Sequence, residues 1–293
     1  MKPPAFEYAA PSTLEEALAL LDADLDGAKL LAGGQSLVPV LNLRLASPSL
    51  VIDLNRISGL SGLEWSDDGA LLAGAMTRHR DFEVSDVVRQ THPLLSKAMS
   101  YVAHVPIRNR GTIGGSLCHA DPAAEWPALC LACEAEMTII GSTGPRTVSA
   151  EQFSLGVYMT ALAPNEILAS VRFPPWPRSR RWGFQELSRR RGDFAIVGVA
   201  CLLDLDAHER CSWARVVVFG AGDVATVVSN AAERLVGNRI DPQSIRAASS
   251  AARAQVETRS DHHASAEYRS ELVEVLTRRA LLQAAGISEG RAT

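Results

Sequence analysis

The sequence has no excess of basic residues. Lys and Arg together number 29 against 33 Asp and Glu, a net charge of −4 over 293 residues, which argues against a nucleic-acid binder. No apolar run reaches the roughly 20 residues needed to cross a bilayer. Met1-Lys2-Pro3-Pro4 opens without the apolar core of a signal peptide, so the expected location is the cytoplasm. The five cysteines (Cys118, Cys130, Cys133, Cys201 and Cys211) are odd in number and unevenly spaced. In a reducing compartment that pattern means free thiols rather than a disulfide framework. The chain also lacks a Gly-x-Gly-x-x-Gly between strand and helix, a Gly-Lys-Ser/Thr closing a P-loop, a Ser-His-Asp arrangement, an internal repeat and a low-complexity tract.

Several weaker signals are set against these absences. Cys130-Leu131-Ala132-Cys133 is a Cys-x-x-Cys pair, but an iron–sulfur frame needs four correctly spaced cysteines. The pair sits in an apolar helical run and is expected to be buried and inert. His79 and His92 read as surface or cap residues, and His262-His263 as a solvated helix start. The arginines at 178, 180, 181, 189, 190 and 191 have few interleaved aromatics. They suit a partner interface or a solvated strand edge better than a nucleic-acid patch.

A length near 300 suggests about two domains, and 47% apolar residues are enough for a core. Thr13, three residues before Glu16, predicts a capped amphipathic helix with Leu14, Leu18 and Leu21 on one stripe. Residues 28–32 and 50–54 predict strands, residues 63–73 a hairpin turning at Asp67-Asp68-Gly69. Thr77 is an expected N-cap for a helix through Val84, and Leu94–Val102 a further helix. Ile107–Ser116 reads as a loop, Ala123–Glu134 as helix, and 135–140, 146–148 and 166–173 as strands. Three prolines within Pro174-Pro175-Trp176-Pro177 break the chain. Beyond them, apolar runs at 183–187, 195–205 and 214–220 predict an antiparallel meander. Helices near 224–236, 242–254 and 264–284 follow, and the residues from Ser288 to Thr293 read as a frayed tail. Strands followed by helices give an α+β class.

Two glycine motifs carry the chemistry. Ala32-Gly33-Gly34-Gln35-Ser36 follows a strand directly. Adjacent glycines permit left-handed backbone and remove Cβ atoms, so an anion can approach main-chain amides. Ser36 can add a donor. A plain tight turn is the competing reading of this motif alone. The second motif, Arg110-Gly111-Thr112-Ile113-Gly114-Gly115-Ser116, repeats the paired glycines flanked by hydroxyls. Together they suggest a diphosphate gripped from two sides, with Asp121 and Glu125 downstream placed to bond a ribose or a ring edge.

With Asn42-Leu43-Arg44, Ile52-Asp53-Leu54, Ile107-Arg108-Asn109, Ala120-Asp121-Pro122-Ala123-Ala124-Glu125 and Arg189-Arg190-Arg191-Gly192-Asp193-Phe194-Ala195, these motifs resemble the FAD-binding medium subunits of the molybdenum hydroxylases. The group includes aerobic carbon monoxide dehydrogenase and the FAD domain of xanthine dehydrogenase, and the likeness runs over nearly the whole chain. It implies FAD held by Lys29, Leu30, Leu31, Ala32, Gly33, Gly34, Gln35 and Ser36, and by Gly111, Thr112, Ile113, Gly114, Gly115 and Ser116. Cys118 and His119 would lie near the flavin ring, Glu125 would face the cofactor, and Val102, Ala103 and Leu162 match positions that touch FAD in relatives.

The resemblance further implies an FAD-binding region of two subdomains (1–55 and 56–175), of the vanillyl-alcohol-oxidase (PCMH) type. A C-terminal domain, 178–287, of three-stranded antiparallel sheet with helices follows. Partners would be a large molybdopterin-binding subunit and a small 2Fe–2S subunit, in a heterotrimer or a dimer of heterotrimers. No side chain of this chain would serve as a catalytic acid, base or nucleophile, and no metal would bind it. Some relatives place a lysine near the isoalloxazine on the strand that here reads Phe184-Gln185-Glu186-Leu187. Its absence leaves the flavin potential and the acceptor open. Two other readings compete: a self-sufficient flavin oxidase or reductase, and a nucleotide-binding regulator without redox cycling.

Overall fold

The structure is a computed structural model that describes residues 2–288. Beyond Ser288 the expected tail lies outside the described residues. In chain order the elements begin with β1 (Glu7–Ala9), α1 (Leu14–Ala23), β2 (Ala28–Leu31), α2 (Leu37–Asn42), β3 (Leu50–Asp53), β4 (Leu63–Trp65) and β5 (Leu71–Gly74). Helices α3 (His79–Val84), α4 (Asp86–Thr91), α5 (Pro93–Ala98), α6 (Val105–Arg108), α7 (Ile113–His119) and α8 (Glu125–Ala132) follow. Next come β6 (Glu136–Gly141), β7 (Gly144–Ser149), α9 (Ala150–Phe153), β8 (Ser154–Gly156), β9 (Met159–Thr160) and β10 (Ile167–Phe173). The chain then runs through β11 (Arg181–Ser188), β12 (Ala195–Leu205), β13 (Cys211–Phe219), β14 (Thr226–Val227), α10 (Ser229–Leu235), α11 (Pro242–Gln255) and α12 (Ala266–Ala285).

The chain forms two compact units. The first comprises Met1–Phe82, His104–Ala120 and Ala135–Pro175. It holds a parallel sheet in the order β1-β3-β2 and a mixed-length antiparallel sheet in the order β4-β5-β10-β6-β7. Thr13 caps α1 by accepting from the Glu16 N–H, as the spacing predicts. Ala17 and Leu21 of that helix join Ile52, Leu54, Met76 and Ile167 in one buried cluster, which fixes the end of β2 from which the first glycine motif departs. Thr77 is not a helix cap. It is fully buried, and its Oγ1 accepts from the Gly62 N–H at 2.9 Å and donates to the Gly62 carbonyl at 2.8 Å, so α3 starts only at His79.

The second unit comprises Glu83–Ala103, Asp121–Glu134 and Trp176–Thr293. Its sheet runs β11-β12-β13-β14, the expected meander with a two-residue fourth strand added. Helices α10, α11 and α12 cover it around Val197, Val199, Leu203, Val216, Leu276 and Leu281. A Cβ on Gly183 would collide with the Ala280 carbonyl, so that glycine lets α12 lie directly on β11. Helices α5 and α8 come from earlier in the chain yet pack in this unit, α8 being buried along its whole length. Among the described residues no helix is long and apolar enough to cross a membrane.

Candidate functional site

The first glycine turn has donors without acceptors. The amides of Gly33, Gly34, Gln35 and Ser36 donate to no protein atom among the described residues. Gly33 is buried and its three successors are partly buried. Buried N–H groups are almost always paired, so such a run demands an external acceptor. Gly34 has φ +74°, the left-handed geometry that turns successive amides toward a common point. Ser36 starts α2 without making a side-chain cap, which keeps its hydroxyl available. Gln35 is engaged, its Nε2 donating to the Gly33 carbonyl at 3.0 Å.

The second turn has the same residue pattern and a different hydrogen-bonding state. It is not a loop through Ser116, because helix α7 begins at Ile113 with Thr112 as N-cap. The Ile113 amide donates to Thr77 O at 3.1 Å and the Gly114 amide to Ala75 O at 2.8 Å. The Gly115 amide donates to Thr112 Oγ1 at 3.0 Å and the Ser116 amide to Thr112 O at 3.1 Å. All four donors are therefore consumed inside the protein. Where the sequence suggests a phosphate gripped by this turn, the structure shows the amides of Ile113–Ser116 occupied by helix capping and by docking onto the Ala75–Thr77 segment.

Close packing explains most of the glycines. A Cβ on Gly33 would meet the Arg110 carbonyl and come within 2.7 Å of Gly111 Cα. On Gly111 it would lie 2.7 Å from the His79 ring, and on Gly114 2.6 Å from the Ala75 Cβ. The first motif needs Gly33 because the Arg110–Gly111 backbone presses against it, whereas Gly111 and Gly114 are required by His79 and the Ala75 segment.

A polar clamp, not anticipated from the sequence, holds the turns together. Asn55 donates through Nδ2 to the Ala32 carbonyl at 2.9 Å and accepts at Oδ1 from Arg78 at 2.6 Å. Arg78 also donates to the Arg110 carbonyl, so one side-chain chain links the first turn to the second. Asp53 anchors Asn55 by accepting from its amide at 2.9 Å and accepts from the Tyr8 hydroxyl at 2.6 Å. Burial raises the Asp53 carboxyl, but the Tyr8 and Asn55 hydrogen bonds outweigh it and keep it ionised. In the sequence only the Ile52-Asp53-Leu54 motif lies at this clamp. His79, read as a surface residue, is buried behind Gly111, and burial aided by Arg108 and Arg78 pushes it down to about 4.

The other expected positions are spread more widely. Lys29 is exposed on β2, while Leu30, Leu31 and Leu162 are partly buried. Cys118 is exposed at the end of α7, where the His119 ring lies 5.0 Å from that of Tyr158. Val102, Ala103 and Glu125 belong to the second unit. Val102 is buried and Ala103 has φ +44°. Glu125 opens α8, is 5% exposed, and is raised by burial and by Asp121.

The remaining sequence signals find structural duties. Cys130 and Cys133 are buried in and just after α8, and burial pushes the Cys133 thiol up to about 12. His92 is fully buried rather than superficial, its ring 5.6 Å from Trp176. The arginine cluster divides. Arg180 pairs with Asp204 at 2.7 Å and lies over the Trp213 ring, and Arg181 pairs with Glu209 at 3.2 Å. Arg189, Arg190 and Arg191 are exposed.

The FAD binding domain of molybdopterin dehydrogenases matches residues 4–176, and the C-terminal domain of the CO dehydrogenase flavoprotein matches residues 182–284. The chain belongs to the FAD-binding medium subunits of the molybdenum hydroxylase family: it is an oxidoreductase subunit whose cofactor is FAD. It is 40% identical over 284 residues to the 6-hydroxypseudooxynicotine dehydrogenase complex subunit alpha of Paenarthrobacter nicotinovorans, covering 97% of this chain and 96% of that one. It is 37% identical over 281 residues to the carbon monoxide dehydrogenase medium chain of Hydrogenophaga pseudoflava, covering 96% and 97%. Among solved structures it is similar to the Hydrogenophaga pseudoflava carbon monoxide dehydrogenase lacking the Mo-pyranopterin moiety (TM-score 0.95, 37% identity, 98% of this chain and 99% of that one). Quinoline 2-oxidoreductase from Pseudomonas putida 86 gives a TM-score of 0.93 at 40% identity, covering all of both chains.

Proposed function

We propose that the first glycine turn holds the FAD diphosphate and that the chain takes electrons from a small 2Fe–2S subunit, fed by a large molybdopterin subunit. The carrying observation is the run of four unpaired amides at Gly33–Ser36 beside a free serine hydroxyl. A diphosphate supplies the acceptors that these donors lack. The residues therefore fit the cofactor, and they fit it unequally. Gly33, Gly34, Gln35 and Ser36 bind through the backbone. Gly111, Thr112, Ile113, Gly114, Gly115 and Ser116 act as a wall that shapes the first turn.

When bound, FAD supplies one-electron uptake and two-electron delivery. The chain's own share is to bind and orient it. Asn55 and Arg78 fix the carbonyls behind the turns, so the amides are aligned before the ligand arrives. Lys29, Leu30, Leu31, Ala32, Val102, Ala103, Cys118, His119, Glu125 and Leu162 complete the proposed cofactor contacts by resemblance. The division into 1–55, 56–175 and 178–287 is the proposed functional one. Five free thiols suit a reducing compartment, so a cytoplasmic location is part of the reading, as is assembly into a heterotrimer.

The test is reconstitution. Purified protein should be yellow, take up one FAD, be reduced by dithionite and be reoxidised by an acceptor. A colourless protein indifferent to FAD contradicts the reading. Reduction of the isolated chain by a small organic substrate would favour a self-sufficient oxidase instead.

A further inference from the structure

The first unit exposes an apolar hairpin. Strands β8 and β9 pair only with each other, and a lone two-stranded hairpin is marginal in water unless it packs on something. Its inner side is anchored. Phe153, just before β8, is fully buried, and the Ala161 amide donates to the Phe153 carbonyl at 2.9 Å. The Tyr158 amide donates to the Ala120 carbonyl at 3.1 Å, and the Tyr158 ring lies 5.0 Å from that of His119. Tyr158 holds φ +55°, a left-handed backbone that is costly outside glycine and persists only where the surroundings impose it. The hairpin is therefore fixed in one pose.

Its outer side is open to solvent. Leu155 is 61% exposed, Val157 40%, Tyr158 59% and Met159 60%. The register shifts between Ser154 and Gly156, so Leu155 faces no residue across the hairpin, an insertion of the kind that re-aims a side chain. From Gln152 to Asn165 there is no charged residue, in a chain that is 21% charged. The charges that ordinarily guard an exposed apolar strand are missing. The four side chains offer on the order of 400 Å² of apolar surface, the size at which a patch on a monomer is commonly functional. That is about half of one side of a standard protein–protein interface.

The occupant must be apolar where it touches, since a charge buried against this segment would find no partner. Position selects which partner it is. Ala120 is the C-cap of α7, whose N-cap Thr112 belongs to the second glycine turn. One seven-residue helix, roughly 10 Å long at about 1.5 Å per residue, separates the hairpin from the wall of the first turn. Electron tunnelling falls steeply with distance, so the subunit that reduces the flavin must dock close to it. The large subunit passes its electrons on and has no such need. We propose that the β8–β9 hairpin is the docking surface for an apolar, uncharged face of the small 2Fe–2S subunit, with Leu155 and Met159 as its anchors. This rests on the proposed electron-transfer reading of the chain.

The experiment is a pull-down of the complex, co-expressed with both partner subunits and captured through a tag on this chain. Leu155→Asp with Met159→Asp should retain at least about tenfold less small subunit, the effect of losing a buried anchor. Flavin content per chain and circular dichroism should match wild type. Unchanged retention of the small subunit overturns the proposal. So does loss of flavin or of the large subunit with the small one retained, or a wild-type dimer of this chain that the variant splits. A photo-crosslinking amino acid in place of Val157, in an otherwise wild-type chain, gives a second reading should the aspartates unfold the protein. It should join the small subunit, and a crosslink to the large subunit, to a second copy or to nothing overturns the proposal. A wild-type chain that holds FAD but recruits no 2Fe–2S subunit would instead overturn the electron-input part of the proposed function.

Discussion

The two glycine turns look interchangeable in sequence and are opposites in chemistry. Each has adjacent glycines, a flanking hydroxyl and a helix behind it. In the first turn the amides of Gly33–Ser36 have no acceptor among the described residues; in the second those of Ile113–Ser116 are all bonded to Thr77, Ala75 and Thr112. The difference arises from what surrounds each turn. The second docks a seven-residue helix onto the Ala75–Thr77 segment, and docking uses up donors. The first packs on the Arg110–Gly111 backbone and is clamped through its Ala32 carbonyl, so its amide donors stay open. A glycine pair thus reports close approach of something, and the structure decides whether that is a ligand or another backbone.

The contrast can be broken most severely at the glycines. Gly33→Val should give protein with less than about a tenth of the wild-type flavin content, because the new Cβ meets backbone at Arg110, and backbone cannot yield as a flexible side chain can. Absorbance per protein checks this. Gly114→Val should destabilise the fold by about 3 kcal/mol, since it strikes Ala75, with lowered soluble yield as the first sign. Thr112→Ala removes the α7 cap and should cost about 1 kcal/mol in a denaturant series, while FAD affinity of the folded protein stays unchanged. Ser36→Ala should do the reverse. Stability holds and Kd rises by roughly fivefold, the worth of about 1 kcal/mol for one hydrogen bond. If Thr112→Ala weakens FAD and Ser36→Ala does not, the roles of the two turns have been exchanged.

A smaller effect on folding alone is expected at Glu186 of β11, whose Oε2 is buried without a hydrogen-bond partner. The unfolded chain releases the Glu186 proton above about 4.5, whereas the fold retains it to higher pH. The unfolded state then binds fewer protons, so stability falls as pH rises through that window. Glu186→Gln should flatten the slope and be the more stable form at pH 8, as read from urea midpoints at a series of pH values.

Much of this was legible in the sequence, for identifiable reasons. Local rules were sufficient for the Thr13–Glu16 cap, the hairpin around Asp68 and the C-terminal meander, because short-range hydrogen bonds and alternation dictate them. The first turn was legible as a strand followed by Gly-Gly and a hydroxyl. What local rules could not reach were long-range partners. Thr77 bonds to Gly62, His79 lies behind Gly111, and Arg78 reaches both Asn55 and the Arg110 carbonyl. Each pairing joins positions far apart in the chain, so a cap, a surface histidine and an anonymous arginine were the natural readings.

Amide hydrogen exchange followed residue by residue, with and without FAD, probes the central claim most directly. The amides of Gly33, Gly34, Gln35 and Ser36 should exchange fast in the free chain and become protected when FAD binds, while those of Ile113–Ser116 are already slow and change little. Protection that appears on Ile113–Ser116 and not on Gly33–Ser36 would contradict the account.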